Sequence, residues 1–185
     1  MSPTPFKLPP AHTVPTLSTR KHIEILSALF EPCPALNTLA LEYLAAGPFE
    51  SYDDLVGIVY GLLADLNGSK TPKNTEWLLK ILAAHPRLGA KKIESELSAE
   101  EQASLAAANA EEEEALKRLN DEYEKKFPGM RYIAFVNGRS RQIIIKDMEK
   151  RISRWDSEAE KEEAIQAMCD IARDRANKLT PQKTV

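Results

Sequence analysis

What this chain of 185 residues lacks narrows its function before any motif is considered. It has two cysteines, Cys33 and Cys169, with no Cys-x-x-Cys spacing, so it offers neither a disulfide framework nor a cysteine zinc site. Its three histidines, His12, His22 and His85, are scattered singly, and no His/Cys/Asp group has metal-ligand spacing. The expectation is therefore no metal and no cofactor. No apolar run approaches the roughly 20 residues of a membrane-spanning helix, and no signal-like segment opens the chain. Charge of one sign is also missing: 25 Lys and Arg are interspersed with 28 Asp and Glu, giving a net charge of −3. Without a basic footprint, nucleic acid is not an expected partner, and neither is a membrane. No glycine-rich phosphate loop, dinucleotide fingerprint or nucleophile elbow is present. A reducing, cytoplasmic setting is expected. The final "QKTV" does not match a Ser-Lys-Leu address, although a peroxisomal location stays open.

What is present is helical periodicity. Residues 1–17 hold five of the twelve prolines and read as a flexible, Pro-rich N-terminal arm. Residues 18–180 read as one helical domain and 181–185 as a tail. Ile23, Leu26, Leu29 and Phe30 share a face. Pro34 opens the next helix and Gly47 closes it, and Ser51 caps a third with Asp53 and Asp54 in its first turn. "TEWLLKILAAH" follows the turn-rich "NGSKTPKN". A long helix is predicted from Ser98 to about Lys126, with Leu105, Leu116, Leu119 and Tyr123 on one stripe. "RYIAFVNGRS" is the only plausible extended piece. Two further helices follow, the last opened by a Ser157/Glu160 capping-box pattern. The sum is an all-α, single-domain bundle of about seven helices.

Such a bundle does not announce an activity, so the informative residues are polar ones on faces that should be buried. Leu78, Ile81 or Leu82, and His85 follow one another at helical spacing, and Pro86 disfavours α geometry at His85. The imidazole therefore continues the inward stripe at a helix end, where it either satisfies nearby carbonyls or serves a site. In "LSAEEQ", Ser98 and Glu101 fit a capping box, whereas Gln102, on the face of Leu105, offers an unexplained donor and acceptor. In the last helix the stripe Ile165, Met168, Ile171 or Ala172, and Leu179 has Arg175 at its missing step. A buried guanidinium needs a partner, either a protein carboxylate or an anionic substrate. Arg173 projects to solvent, and Glu111 to Glu114 form a solvated face.

The same places carry a family resemblance. "AHPRLGAKK", "LSAEEQ", "LNDEYEKKF" leading into "RYIAFVNGRS", and "IARDRANKL" occur in the order seen in OHCU decarboxylases, and "FEPCPAL...GPFESYDDL" resembles the family's N-terminal half. OHCU is 2-oxo-4-hydroxy-4-carboxy-5-ureidoimidazoline. The resemblance implies an all-α enzyme of urate breakdown that removes CO2 from this small molecule to give (S)-allantoin without metal or organic cofactor, with a homodimer as a possible assembly. It makes His85 the proton-transferring residue and Pro86 its neighbour in the pocket. Ser98 through Gln102 become a substrate-binding helix start that includes acidic Glu101. Tyr132, Ile133, Ala134, Phe135 and Val136 become the segment offering backbone groups to the ring, and Arg175 a site arginine. Chemically, the electron pair left by CO2 needs oxyanion-type stabilisation and a proton returned to one face. An imidazole with an ordinary pKa near 6.5 suits the second task. The alternative is a non-catalytic helical interaction module derived from the same family.

Overall fold

Helix starts in this protein follow side-chain chemistry closely. The computed structural model describes residues 6–89, 96–103 and 110–181. Ser18 caps α1 (Thr19–Phe30), and Pro34 is the first residue of α2 (Pro34–Ala46). Ser51 and Asp54 form a reciprocal capping box at α3 (Tyr52–Gly68), and Thr71 caps α4 (Pro72–Leu82). After α5 (Glu96–Ala103) and α6 (Ala110–Lys126), Ser140 caps α7 (Arg141–Arg154) and Asp156 caps α8 (Ser157–Leu179). Each oxygen satisfies an amide that the first helical turn leaves without a partner.

The last cap differs from the expectation. Asp156 accepts from the amides of Glu158 and Ala159, so Ser157 is already helical, and Glu160 is fully buried instead of reaching back to a cap. The helix count differs as well: the described residues contain eight α-helices and one 3-10 helix. The helix expected from Ser98 to Lys126 is described as α5 and α6, with Leu105 outside the described residues. Among the described residues there is no strand. Residues 131–136 are β-friendly but pair with no strand among the described residues, and they run as irregular chain between α6 and α7.

The central element is α8. Ala164, Ile165, Met168, Cys169, Ile171, Ala172 and Ala176 bury most of its circumference, as a helix enclosed on several sides must. It packs between α1 and α3, and α6 pairs with α7. No described helix is long and apolar enough to cross a membrane.

The Pro-rich lead does not extend away from the bundle where it is described. Ala11–Thr16 forms the 3-10 helix, and Leu8 and Val14 are buried. Three hydrogen bonds hold it: the Leu8 amide to the Leu179 carbonyl (3.1 Å), the Tyr52 hydroxyl to the Pro9 carbonyl (2.8 Å), and His22 Nε2 to the Val14 carbonyl (2.7 Å). Proline restricts this segment before it folds, so docking it costs less entropy than docking an ordinary strand of chain. Gly47, at the end of α2, is required by the same packing: it has φ +45°, and a Cβ there would stand 2.3 Å from Pro15 Cγ. Gly47→Ala should therefore destabilise the protein by about 2–3 kcal/mol, read by chemical denaturation. A loss below about 0.5 kcal/mol would mean that the arm is not seated against Gly47.

Candidate active site

The site grows from the place where α4 stops. Leu78, Ile81 and Leu82 are buried, and after Leu82 the chain closes two tight turns, Ala84 to Ile81 and His85 to Leu82. Pro86 cannot continue the helix, so His85 is left facing inward as the periodicity predicts. The irregular stretch that follows is held along its length. Arg131 donates to the His85 carbonyl (3.0 Å) and Asn120 to that of Leu88 (2.9 Å). Gln102 donates to the Arg87 carbonyl (3.4 Å) and accepts from the Gly89 amide (2.7 Å). The Arg87 side chain grips Glu124 and Asp121 on α6, each at 2.6 Å. A loop whose backbone groups are so matched holds His85 in one orientation.

Behind His85 lies Arg175, 1% exposed on α8. Its guanidinium donates to Glu31 (2.6 Å) and in a fork to Glu101 (2.7 and 2.9 Å), and it reaches the Leu29 carbonyl at 3.4 Å. Glu31 is itself buried at the end of α1, in the backbone conformation φ 77°, ψ 153°. That region belongs essentially to glycine and costs an L-residue about 1–3 kcal/mol. The following Pro32 favours the extended ψ but does not account for the positive φ.

A second buried charge cluster supports the opposite wall. Glu160 accepts from Arg151 (2.8 Å), Arg154 (2.6 Å) and the Tyr123 hydroxyl (2.6 Å). Arg151 in turn donates to the Ile133 carbonyl (3.0 Å) and lies over the Tyr132 ring, whose hydroxyl donates to Asp147 at 2.5 Å. Arg139 takes the carbonyls of Phe135 (2.5 Å) and Val136 (3.4 Å). Arginines thus fix the carbonyls of Ile133, Phe135 and Val136.

Between these walls lies a cavity of about 350 Å³, the size of a small-molecule site. Of the residues expected from sequence, it brings together His85, Pro86, Glu101, Gln102, Tyr132, Ala134, Phe135 and Val136. Ile133 is buried behind the wall, with its carbonyl on Arg151. Arg175 also stands behind the wall, on its two carboxylates. Ser98 lies within α5, not before it, and its side chain is outside the described residues. Glu101 joins Arg175, so the capping-box reading does not account for its carboxylate. Sequence reasoning missed Glu31, Asn120, Asp174 and Lys178. Asn120 alone carried a signal: it lies on the buried stripe with Leu116, Leu119 and Tyr123, where a polar residue needs a reason.

The electrostatics of the cavity favour a neutral imidazole. Burial, followed by the positive charge of Arg175, lowers the His85 pKa to about 4; Glu31 opposes the shift and Arg131 adds to it. Nδ1 is buried and has no hydrogen-bond partner among the described residues. Neither cysteine is a competing nucleophile: both are buried, and burial pushes the Cys169 thiol up to about 12.

Two known proteins are similar to this chain. The chain is 28% identical over 169 residues to the uric acid degradation bifunctional protein PucL of Bacillus subtilis, covering 90% of this chain and 32% of that protein. It is 30% identical over 112 residues to the 2-oxo-4-hydroxy-4-carboxy-5-ureidoimidazoline decarboxylase of Haloferax volcanii, covering 60% of this chain and 62% of that one. The chain thus spans less than two thirds of the length of both relatives. The family model for OHCU decarboxylase matches residues 15–177, nearly the whole of the described bundle, and the chain belongs to the OHCU decarboxylase family.

Proposed function

We propose that this protein decarboxylates 2-oxo-4-hydroxy-4-carboxy-5-ureidoimidazoline to (S)-allantoin and CO2, with His85 moving the proton. The observation that carries the reading is a neutral, buried histidine on the wall of a small cavity, with Nδ1 unmatched by any described group. Buried polar atoms are ordinarily paired, so an unmatched ring nitrogen on a cavity-lining histidine marks a functional position. Neutral imidazole accepts the proton of the substrate hydroxyl as the bond to the carboxylate breaks and its electron pair spreads into the ring. The imidazolium then returns that proton to the ring carbon that becomes the stereocentre. One solvent proton balances the charge of the lost carboxylate. The anionic substrate itself raises the proton affinity of His85 on arrival, because a negative charge beside an imidazole favours its charged form.

The remaining residues bind and orient. Glu101 serves the ureido hydrogens or the imidazole, Gln102 and Pro86 shape one wall, and Arg175 supplies the positive field. Ser98 belongs to the same helix start. Amides of the Tyr132–Val136 segment face a ring oxygen; the carbonyls of Ile133, Phe135 and Val136 are turned to Arg151 and Arg139, which favours donors as the backbone groups offered there.

The direct test generates OHCU freshly from urate and follows allantoin by circular dichroism. The purified protein should accelerate the signal and fix its sign as that of (S)-allantoin; a rate and sign equal to the uncatalysed reaction would refute the function. His85→Asn should keep the helical spectrum and lose at least about a hundredfold in kcat.

The depressed pKa adds two further expectations. The profile of kcat/KM against pH should remain flat through 6.5 and fall only toward about 4, since the free enzyme holds His85 neutral above that value. Stability follows the same sign. The unfolded chain protonates His85 near 6.5 and the folded one only near 4, so its contribution is complete above 6.5 and is lost as pH falls through that window. Between pH 7 and 4 the wild type should lose about 2–3 kcal/mol more than His85→Asn, measured by denaturant titration at each pH. Equal slopes would place an ordinary histidine at position 85.

A further inference from the structure

We propose that Glu31 is a positioning residue of this site: it is the permanent counter-ion of Arg175, and so leaves Glu101 exchangeable between Arg175 and a ligand. The inference rests on the decarboxylase reading only for its effect on turnover. The two carboxylates on Arg175 are not equivalent. Glu31 has a side chain 3% exposed and does not reach the cavity wall, whereas Glu101 is 16% exposed and forms part of it. A ligand entering the cavity meets Glu101 and cannot meet Glu31.

Were Glu101 the sole partner of Arg175, turning it toward a ligand would leave a buried guanidinium without a countercharge, which is strongly unfavourable. Glu31 removes that obstacle. Its backbone supports the assignment, because a non-glycine residue at φ 77° is held by its surroundings, and such strain gathers at functional positions. A glycine would relieve the strain but bring no carboxylate.

Glu31 also acts on His85 through its field. Among the described residues, the charges acting on the imidazole are Arg175 from α8, Arg131 from the chain before Tyr132, and Glu31 from the end of α1. Glu100 and Glu101 from α5 and Asp174 and Lys178 from α8 line the same cavity. Among the described groups acting directly on His85, Glu31 is the one that opposes the two arginines.

The test is Glu31→Gln, which keeps shape and a hydrogen-bond acceptor for Arg175 but removes the charge. Three results are expected together. Far-ultraviolet circular dichroism is unchanged. The His85 imidazole, followed by nitrogen-15 NMR from pH 7 to about 3 and independently by the acid limb of kcat/KM, protonates at lower pH than in the wild type. With fresh OHCU, kcat falls about tenfold to a hundredfold while KM changes less than about threefold.

An unmoved titration overturns the proposal whatever happens to kcat, because general loosening would impair turnover without removing a specific charge. A wild-type kcat overturns the role in turnover. If Glu31→Gln does not fold, Glu31→Gly, which relieves the backbone strain, carries the same measurements with the same expected results. If the wild type itself does not decarboxylate OHCU, the proposed function falls, while the His85 titration still decides whether Glu31 governs the imidazole.

Discussion

The guanidinium of Arg175, buried in α8 between Glu31 and Glu101, ties the end of α1 and the whole of α5 to the central helix. An arginine in that position has no favourable alternative to its carboxylates, since desolvating the charge without them would cost several kcal/mol. The packing around it follows. α1 and α3 enclose α8, and the last turn of α1 ends in a strained residue so that a carboxylate can reach the guanidinium. The same charge holds down the proton affinity of His85, so one residue links the closure of the bundle to the chemistry of its cavity.

The rest of the site is built from irregular chain that must find partners for its own backbone. The segments after His85 and after Arg131 have no helix or sheet to use their carbonyls. Side chains from other elements supply the donors: Asn120 and Gln102 for the first, Arg151 and Arg139 for the second. Because Asn120, Gln102 and Arg151 come from three different helices, the two cavity walls are fixed relative to the bundle and not merely to each other. Preorganisation of this kind lets a cavity stabilise charge without rearranging during the reaction.

Legibility in the sequence followed the range of the interactions involved. The inward face of His85, the cap at Ser51 and the opening of α2 by Pro34 were readable because each depends on neighbours within one helical turn. Glu160 shows the limit. Its spacing from Ser157 fits a capping box, yet Arg151 and Arg154 at the end of α7 and Tyr123 on α6 draw it into the core. The proline-rich lead shows it again, since its composition suits a flexible arm and only Leu8, Val14 and Pro15 meeting α8, α1 and Gly47 give it a place. Asn120 obeys the same local rule as His85, being a polar residue on the buried stripe of Leu116, Leu119 and Tyr123.

By itself, the sequence determined the all-α class, most helix boundaries, the break at His85 and Pro86, and the resemblance through which the family was legible. These rest on periodicity, capping and local steric rules, which act over a few residues. Only the tertiary structure decided that Arg175 stands behind the cavity wall on two carboxylates, that Glu31 is one of them, and that His85 is held neutral. Burial and Coulomb interaction depend on distance in space, and Glu31, His85, Glu101 and Arg175 are brought together from four separate stretches of chain.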